Sequence, residues 1–458
     1  LSQTTLSNAF SQSLQQQKLW DAIAQSHQHI HARGLVGSAL SFAASDAFAK
    51  SERPMLLILN DKEEAAYYLN DLEQLRKEVN VLFYPGSYRR PYQIEETDNA
   101  NILLRAEVLN RINSRRKSAL IVTYPDALFE KVVTRKELDR QTLKVNVTDK
   151  ISLDFVNEVL FEYKFKRVDF VTEPGEFSVR GGIVDVFSFS HDAPYRIEFF
   201  GDEVDSIRTF DVETQLSLEQ VTKISVMPNV ENKTLEEKRD TFLNYIAKNT
   251  VVFIKNRSLF YDRIDRNFAK AEEAFSQLNQ DITRANPEEL FCTGAVLKNE
   301  LEHFQTVDIG AVVEDVRINT LVTFNQQPQP SFNKQFDLLI QNLNDNHEAG
   351  YKNVICCVSD QQAQRFHDIF DDAETKVAAY ETLVLSLYQG FIDDDIKRVV
   401  YTDHQIFERY HKFNLKNGYA KKQAITLKEL TNLNVGDYVT HIDHGIGKFG
   451  GLQKIDVE

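Results

Sequence analysis

The sequence predicts a multidomain α/β protein, and three observations carry that prediction. From residue 1 to about 125, short apolar runs alternate with helical stretches, the pattern of a mainly parallel sheet. A second run of the same kind follows a linker-like stretch, Asn325-Gln326-Gln327-Pro328-Gln329-Pro330. Between them, residues 175–211 switch to a period of two, as half-buried strands joined by tight turns do. At 458 residues the chain has room for about three or four domains.

Charge and cysteine usage narrow the function classes. Lysine and arginine total 53 against 68 aspartates and glutamates, a net charge of −15. A surface that coats DNA needs clustered positive charge, so this balance argues against one while permitting a local basic patch for an acidic partner. Cys292, Cys356 and Cys357 make neither a disulfide framework nor a zinc spacing, and the Cys356-Cys357 pair sits in an apolar run where packing is the expected role. Such usage fits a reducing cytoplasm. No apolar run approaches membrane-spanning length, so no membrane partner is expected. A start at Leu1 rather than Met, and an end inside a motif, lead us to expect a piece of a longer chain.

Taken in order, residues around Trp20–Gln28 have helical spacing, and a second helix runs to about Lys50. Strands are expected at Met55–Leu59, Val81–Tyr84 and Ala119–Thr123, with helices at Glu63–Glu78 and Leu103–Ile112 between them. Ahead of the second helix stands Gly34-Leu35-Val36-Gly37-Ser38-Ala39-Leu40-Ser41. A working phosphate loop needs glycine at its last close approach, a lysine for the phosphates and a hydroxyl for Mg²⁺. Here Ala39 takes the glycine position, Leu40 takes the lysine position and Ser41 keeps the hydroxyl. Without the cation, the expected role is a relic turn and helix start that holds no nucleotide. Tyr88, Arg89 and Arg90 follow the Pro85-Gly86 turn. Interleaved Arg and Tyr suit stacking on bases. The competing reading is a surface loop whose tyrosines pack back on the sheet, and the acidic balance favours it.

From 134 to 225 the period changes. Ser152 can cap a helix carrying Leu153, Val156, Val159 and Leu160. A strand is expected from Arg167 to Val171, with a turn at Pro174-Gly175. Phe177 and Val179 alternate, Gly181-Gly182 breaks the run, and Ile183–Phe187 resumes it. We expect the glycine pair to form a bulge beside Arg180. Ile197 and Phe199 alternate with Arg196 and Glu198, and Gly201-Asp202 offers a two-residue hairpin loop. Phe187 shares strand parity with Ile183 and reads as core.

Beyond 226, helices are expected at Leu235–Lys248 and Arg257–Leu278, and strands at Val251–Lys255 and Thr320–Phe324. After the linker, Phe332–Glu348 and Asp360–Ile369 read as helices, and Val354–Val358, Leu383–Leu387 and Arg398–Tyr401 as strands. Asp393-Asp394-Asp395 reads as a solvated acidic turn, because adjacent carboxylates do not converge on one ion without other ligands. Lys412, Lys416, Lys421 and Lys422 fall on a connector whose default is solvation. His441 and His444 lack a third nearby ligand, so no metal is expected.

Two stretches carry a family resemblance. Val179-Arg180-Gly181, Val184-Asp185-Val186-Phe187, Arg196-Ile197-Glu198-Phe199-Phe200, Asp202-Glu203-Val204 and Phe210-Asp211 follow one another as in the small inserted domain shared by the excision-repair protein UvrB and the transcription-repair coupling factors. Val435-Gly436-Asp437-Tyr438-Val439-Thr440-His441-Ile442-Asp443-His444-Gly445-Ile446-Gly447-Lys448-Phe449 resembles the opening of the CarD-like domain that binds RNA polymerase. UvrB-type loops run G-x-x-G-S-G-K-T, and the coupling factors share the loss of the lysine seen at Leu40. A degenerate loop followed by an α/β domain and a CarD-like start is the coupling-factor order.

That resemblance implies an arrangement: a UvrB-like α/β domain in two parts, 1–133 and 226–325, with an inserted α+β domain at 134–225. A small α/β domain follows at 331–402, then a connector at 403–430 and the start of a small β-barrel from 431. It implies that the inserted domain docks UvrA through Arg167 and Arg180, with Phe187 as a further candidate contact, while a third basic position of UvrB falls on Ser178. It also implies contact with the RNA polymerase beta subunit, and an ATP- and Mg-dependent DNA translocase motor elsewhere in the parent protein. On this reading the stretch is a recruitment platform and not itself an enzyme. Two other classes are open at this point: a nucleotide-dependent enzyme using Gly37–Ser41, and a DNA-binding module using Tyr88, Arg89, Arg90 and the lysines after 410.

Overall fold

A computed structural model describes residues 3–25, 28–79, 81–87, 99–114, 118–229, 238–277, 285–313, 316–409, 438–441 and 445–448. The chain divides into two compact units, 1–413 and 414–458.

The apolar runs at 251–255, 55–58, 120–123 and 81–84 become one half of a seven-stranded parallel sheet. Its order is Thr320–Thr323, His29–Arg33, Gln305–Ile309, Val251–Lys255, Met55–Ile58, Leu120–Thr123, Val81–Tyr84. Strands Met55–Ile58, Leu120–Thr123 and Val81–Tyr84 are wholly buried, as expected of a parallel sheet covered on both faces. Strands from before 133 and after 251 thus share one sheet, while residues 143–226 build sheets of their own.

Two strands in this sheet have no apolar signature. His29–Arg33 and Gln305–Ile309 carry polar side chains into the core, and those side chains are paired there. Gln305 Nε2 donates to the carbonyls of Ala22 and Gln25 at 3.0 and 2.8 Å. Asp308 takes a two-pronged bond from the Arg257 guanidinium at 2.5 and 2.8 Å. Buried polar groups with complete partners cost little, so strand pairing overrides the pattern. The helix expected to reach Gln28 ends at Ala24. Of the helix expected over Leu235–Lys248, the described residues 238–248 form only Phe242–Tyr245, because Arg239–Asp240 pair with Val132–Val133 and Thr241 caps the short helix that follows.

The next 80 or so residues form a six-stranded sheet in the order Ser217–Val221, Glu203–Phe210, Tyr195–Phe200, Ile183–Val186, Glu176–Arg180, Lys166–Arg167. All its pairs are antiparallel except the last. Helix Leu153–Glu162, capped by Ser152, covers one face, with Phe161 edge-on to Phe177 at 5.2 Å. The strand expected over Arg167–Val171 is confined to Lys166–Arg167. Gly181-Gly182 is no bulge. Arg180 pairs with Ile183, so the two glycines are a hairpin loop, with Gly181 at φ +60°. Register shifts do occur, but between Glu198 and Phe199 and between Arg208 and Phe210.

Residues 326–402 form a five-stranded mixed sheet, in the order Gln326–Pro328, Phe391–Asp393, Arg398–Thr402, Lys352–Cys357, Tyr380–Val384. Helices Phe336–Glu348 and Asp360–Asp371 contribute Leu339, Leu343 and Phe366 to a core with Ile355 and Tyr401. The strand expected at Leu383–Leu387 ends at Val384, which frees the residues after it for another role. Asp393 is not part of a solvated turn. It is buried, and its carboxylate accepts from the backbone N–H groups of Asp395 and Ile396 and from Gln326 Nε2. In the second unit the described residues form one antiparallel hairpin, Tyr438–His441 with Gly445–Lys448. Lys412, Lys416, Lys421, Lys422 and His444 lie outside the described residues.

Candidate functional site

The Gly34–Ser41 segment, expected to be a relic of a phosphate loop, lies between strand His29–Arg33 and helix Ala39–Ser51, the placement such a loop requires. Its contents differ. Ala39 and Leu40 are buried in the core, so the side chain at the lysine position points into apolar surroundings. Ser41 Oγ donates to Asp71 at 3.0 Å instead of facing an ion.

Residues 386–390, freed by the early end of strand Tyr380–Val384, lie over the loop. Ser38 N–H donates to the Gln389 carbonyl at 3.0 Å, and Gln389 N–H donates back to Ser38 Oγ at 3.0 Å. Tyr388 N–H donates to Asp71 at 2.8 Å, Asn70 donates to the Ser386 carbonyl at 3.1 Å, and Tyr68 OH donates to the Gly37 carbonyl at 2.9 Å. The Tyr67 and Tyr388 rings stack at 4.3 Å. A Cβ added to Gly37 would stand 2.8 Å from the Gly390 carbonyl oxygen, so the glycine is needed for this approach. Burial pushes the Asp71 carboxyl up to about 7, against the hydrogen bonds that favour its anion.

The six-stranded sheet offers a different kind of site. Its helix-free face carries Ser178, Arg180, Asp185, Arg196, Glu198 and Arg208, which the registers set side by side. Asp185 is fully enclosed and accepts from two guanidiniums. Arg196 reaches it through Nε at 2.7 Å and Nη2 at 2.9 Å, and Arg180 pairs with it through Nη2. Hydrogen bonding to Asp185 raises the pKa of Arg196 above its ordinary value. Arg196 is mostly covered and lies 4.6 Å over the Phe210 ring. Arg180 keeps 43% of its side chain exposed and lies 5.5 Å over the Phe170 ring. Arg208 pairs with Glu198 beside them.

The expected contacts do not all gather here. Arg167 is exposed on the edge strand, but its register partner is Phe177, whose ring is buried under the helix. Arg180 has the opposite parity, so the two arginines leave the sheet toward different faces of the same edge. Phe187 is completely buried and belongs to the core, so it presents nothing to a partner. Ser178, at the third basic position, is also buried, and its hydroxyl donates to the Asp169 carbonyl. Tyr88, Arg89 and Arg90 lie outside the described residues. Asp185, Arg196 and Phe170 were missed as parts of the site. Reading Gly181-Gly182 as a two-residue hairpin would have set Asp185 opposite Ser178 and next to Arg180.

A family described as the UvrB interaction domain matches residues 143–231, the stretch that holds the six-stranded sheet. A family described as the CarD-like/TRCF RID domain matches residues 433–458, which hold the hairpin of the second unit. The chain is similar to the transcription-repair-coupling factors. That of Bacillus subtilis (strain 168) is 23% identical over 93% of this chain, and that of Staphylococcus aureus (strain bovine RF122 / ET3-1) is 22% identical over the same share. The chain spans 42% of the length of each of these coupling factors. A solved structure of Mss116p bound to ssRNA and AMP-PNP aligns with 81% of this chain and 60% of its own, at 9% identity. Its TM-score of 0.25 is too low to bear on fold or function. Among the described residues no group of three or more His, Cys, Asp or Glu is placed to hold a metal ion, and no helix is long and apolar enough to cross a membrane.

Proposed function

We propose that this chain is the recruitment platform of a transcription-repair coupling factor, docking the excision-repair protein UvrA on its six-stranded sheet. One observation carries the reading. Within the stretch matching the UvrB interaction domain, Arg180 is exposed yet tethered to the buried Asp185. A tethered guanidinium loses little freedom when it grips a partner's carboxylate, which is why arginines so placed become binding hot spots. Arg167, at the exposed edge of the same sheet, extends the contact around the edge strand. The CarD-like/TRCF RID match supports the RNA polymerase beta subunit as a second partner. In the whole coupling factor, an ATP-driven motor would displace a stalled polymerase from DNA while this platform brings in the repair machinery.

On this reading the platform uses no nucleotide of its own. Three observations support that. Leu40 replaces the lysine, Ser41 is turned to Asp71, and the Ser38 N–H is spent on Gln389.

The test is capture of UvrA by the immobilised chain. Arg180→Ala should abolish most capture while leaving the thermal melt within a degree or two, because Arg196 still neutralises Asp185. Alanine is preferred to a charge reversal, which would set two carboxylates together. Unchanged capture by Arg180→Ala would reject the assignment.

A further inference from the structure

Phe170 is 60% exposed, an unusual position for a large apolar ring on a segment with no freedom to bury it. The backbone on either side is pinned. Ser178 Oγ donates to the Asp169 carbonyl at 3.1 Å, and Val168 N–H donates to the Phe177 carbonyl at 2.9 Å. Val171 is buried, and its carbonyl accepts from Gln215 Nε2 at 3.2 Å. The N–H groups of Thr172 and Glu173 both donate to the Glu176 carboxylate at 3.0 Å. The ring is thus held out from a fixed loop, and the Arg180 guanidinium lies against it at 5.5 Å. Arg180 itself is held by Asp185. Asp185 carries one negative charge against the two guanidiniums of Arg180 and Arg196, which leaves that trio one net positive charge beside an exposed aromatic face, with Asp169 and Glu173 exposed on the same loop as the ring.

We propose that Phe170 is a binding hot spot that works as a unit with Arg180, and that their joint partner is a protein surface where a carboxylate borders an apolar recess. The inference rests on the docking reading above, with UvrA as the occupant, and adds the apolar half of the contact. The occupant follows from the UvrB interaction domain match over this stretch and from the unbalanced guanidinium of the Arg180–Asp185–Arg196 trio, which offers a cation to a partner's carboxylate. The ring supplies rigid apolar area at small entropic cost, and it pre-orients the guanidinium before the partner arrives. Neither role is open to the buried Phe187.

The test is the equilibrium affinity of the full chain for UvrA, measured for wild type, Phe170→Ala, Phe170→Leu, Arg180→Ala and the Phe170/Arg180 double alanine. Phe170→Ala should weaken binding about tenfold, a hot-spot effect. Phe170→Leu, which keeps apolar bulk and guards against a folding artefact, should recover part of the loss. The Phe170 loss should persist as salt is raised, whereas the Arg180 loss shrinks with screening. The double variant should lose less than the product of the single losses, because the two side chains act together. Wild-type affinity in Phe170→Ala beside a large loss in Arg180→Ala would overturn this inference and leave the docking reading standing. Wild-type affinity in both would overturn the docking reading itself.

Discussion

Asp185 concentrates the physics of the six-stranded sheet in one side chain. A fully buried carboxylate is tolerable only because two guanidiniums share it. Removing the shared charge strands Arg196, which is only 15% exposed, whereas removing Arg180 leaves Asp185 with its stronger partner. Asp185→Ala should therefore cost about 3 kcal/mol of stability, the scale for breaking a buried pair. Arg180→Ala should cost less than about 1 kcal/mol, since that side chain is screened by water. Calorimetry of the two variants separates them, and equal losses would mean that Arg180 is a structural residue. This pair was legible in principle. Arg180, Asp185 and Arg196 stand in sequence at the parities that bring them together, but only once the glycine pair is read as a turn.

At the scale of elements, the phosphate-loop remnant and residues 386–390 have become a socket and its plug. The loss of the cation at Leu40 was visible in the sequence, because a motif has a fixed position for each residue. The plug was not. Residues 385–387 look like the end of a strand, and nothing local says that their neighbours reach across to a loop some 350 positions earlier. Asp71 at the heart of the contact gives the socket a pH signature. Burial raises its folded-state pKa to about 7 from the ordinary 3.8, so the folded protein holds a proton that the unfolded chain releases. The stability due to neutral Asp71 is fully present below the unfolded value, falls as pH rises from about 4 to 7, and then levels off. Asp71→Asn lacks this titration. Across that window the melting temperature of the wild type should fall relative to that of Asp71→Asn. A constant gap between the two would show that Asp71 stays ionised in the socket.

The whole molecule is held together by pairings between distant parts of the chain. Strands rich in branched apolar residues announced one half of the parallel sheet, because burial on both faces selects such residues. His29–Arg33 and Gln305–Ile309 were hidden, because their buried polar groups find partners on helices and neighbouring strands that no local window contains. The proposed docking face follows the same division. Its arginines were legible one by one, and Phe170 was not, since an exposed ring on a pinned loop looks in sequence like any core phenylalanine. Hydrogen–deuterium exchange on the full chain with and without UvrA reads the proposed docking edge of the six-stranded sheet. Slowed exchange should be confined to residues 166–183, with the seven-stranded sheet unaffected. Protection elsewhere with none on that edge would contradict the docking reading.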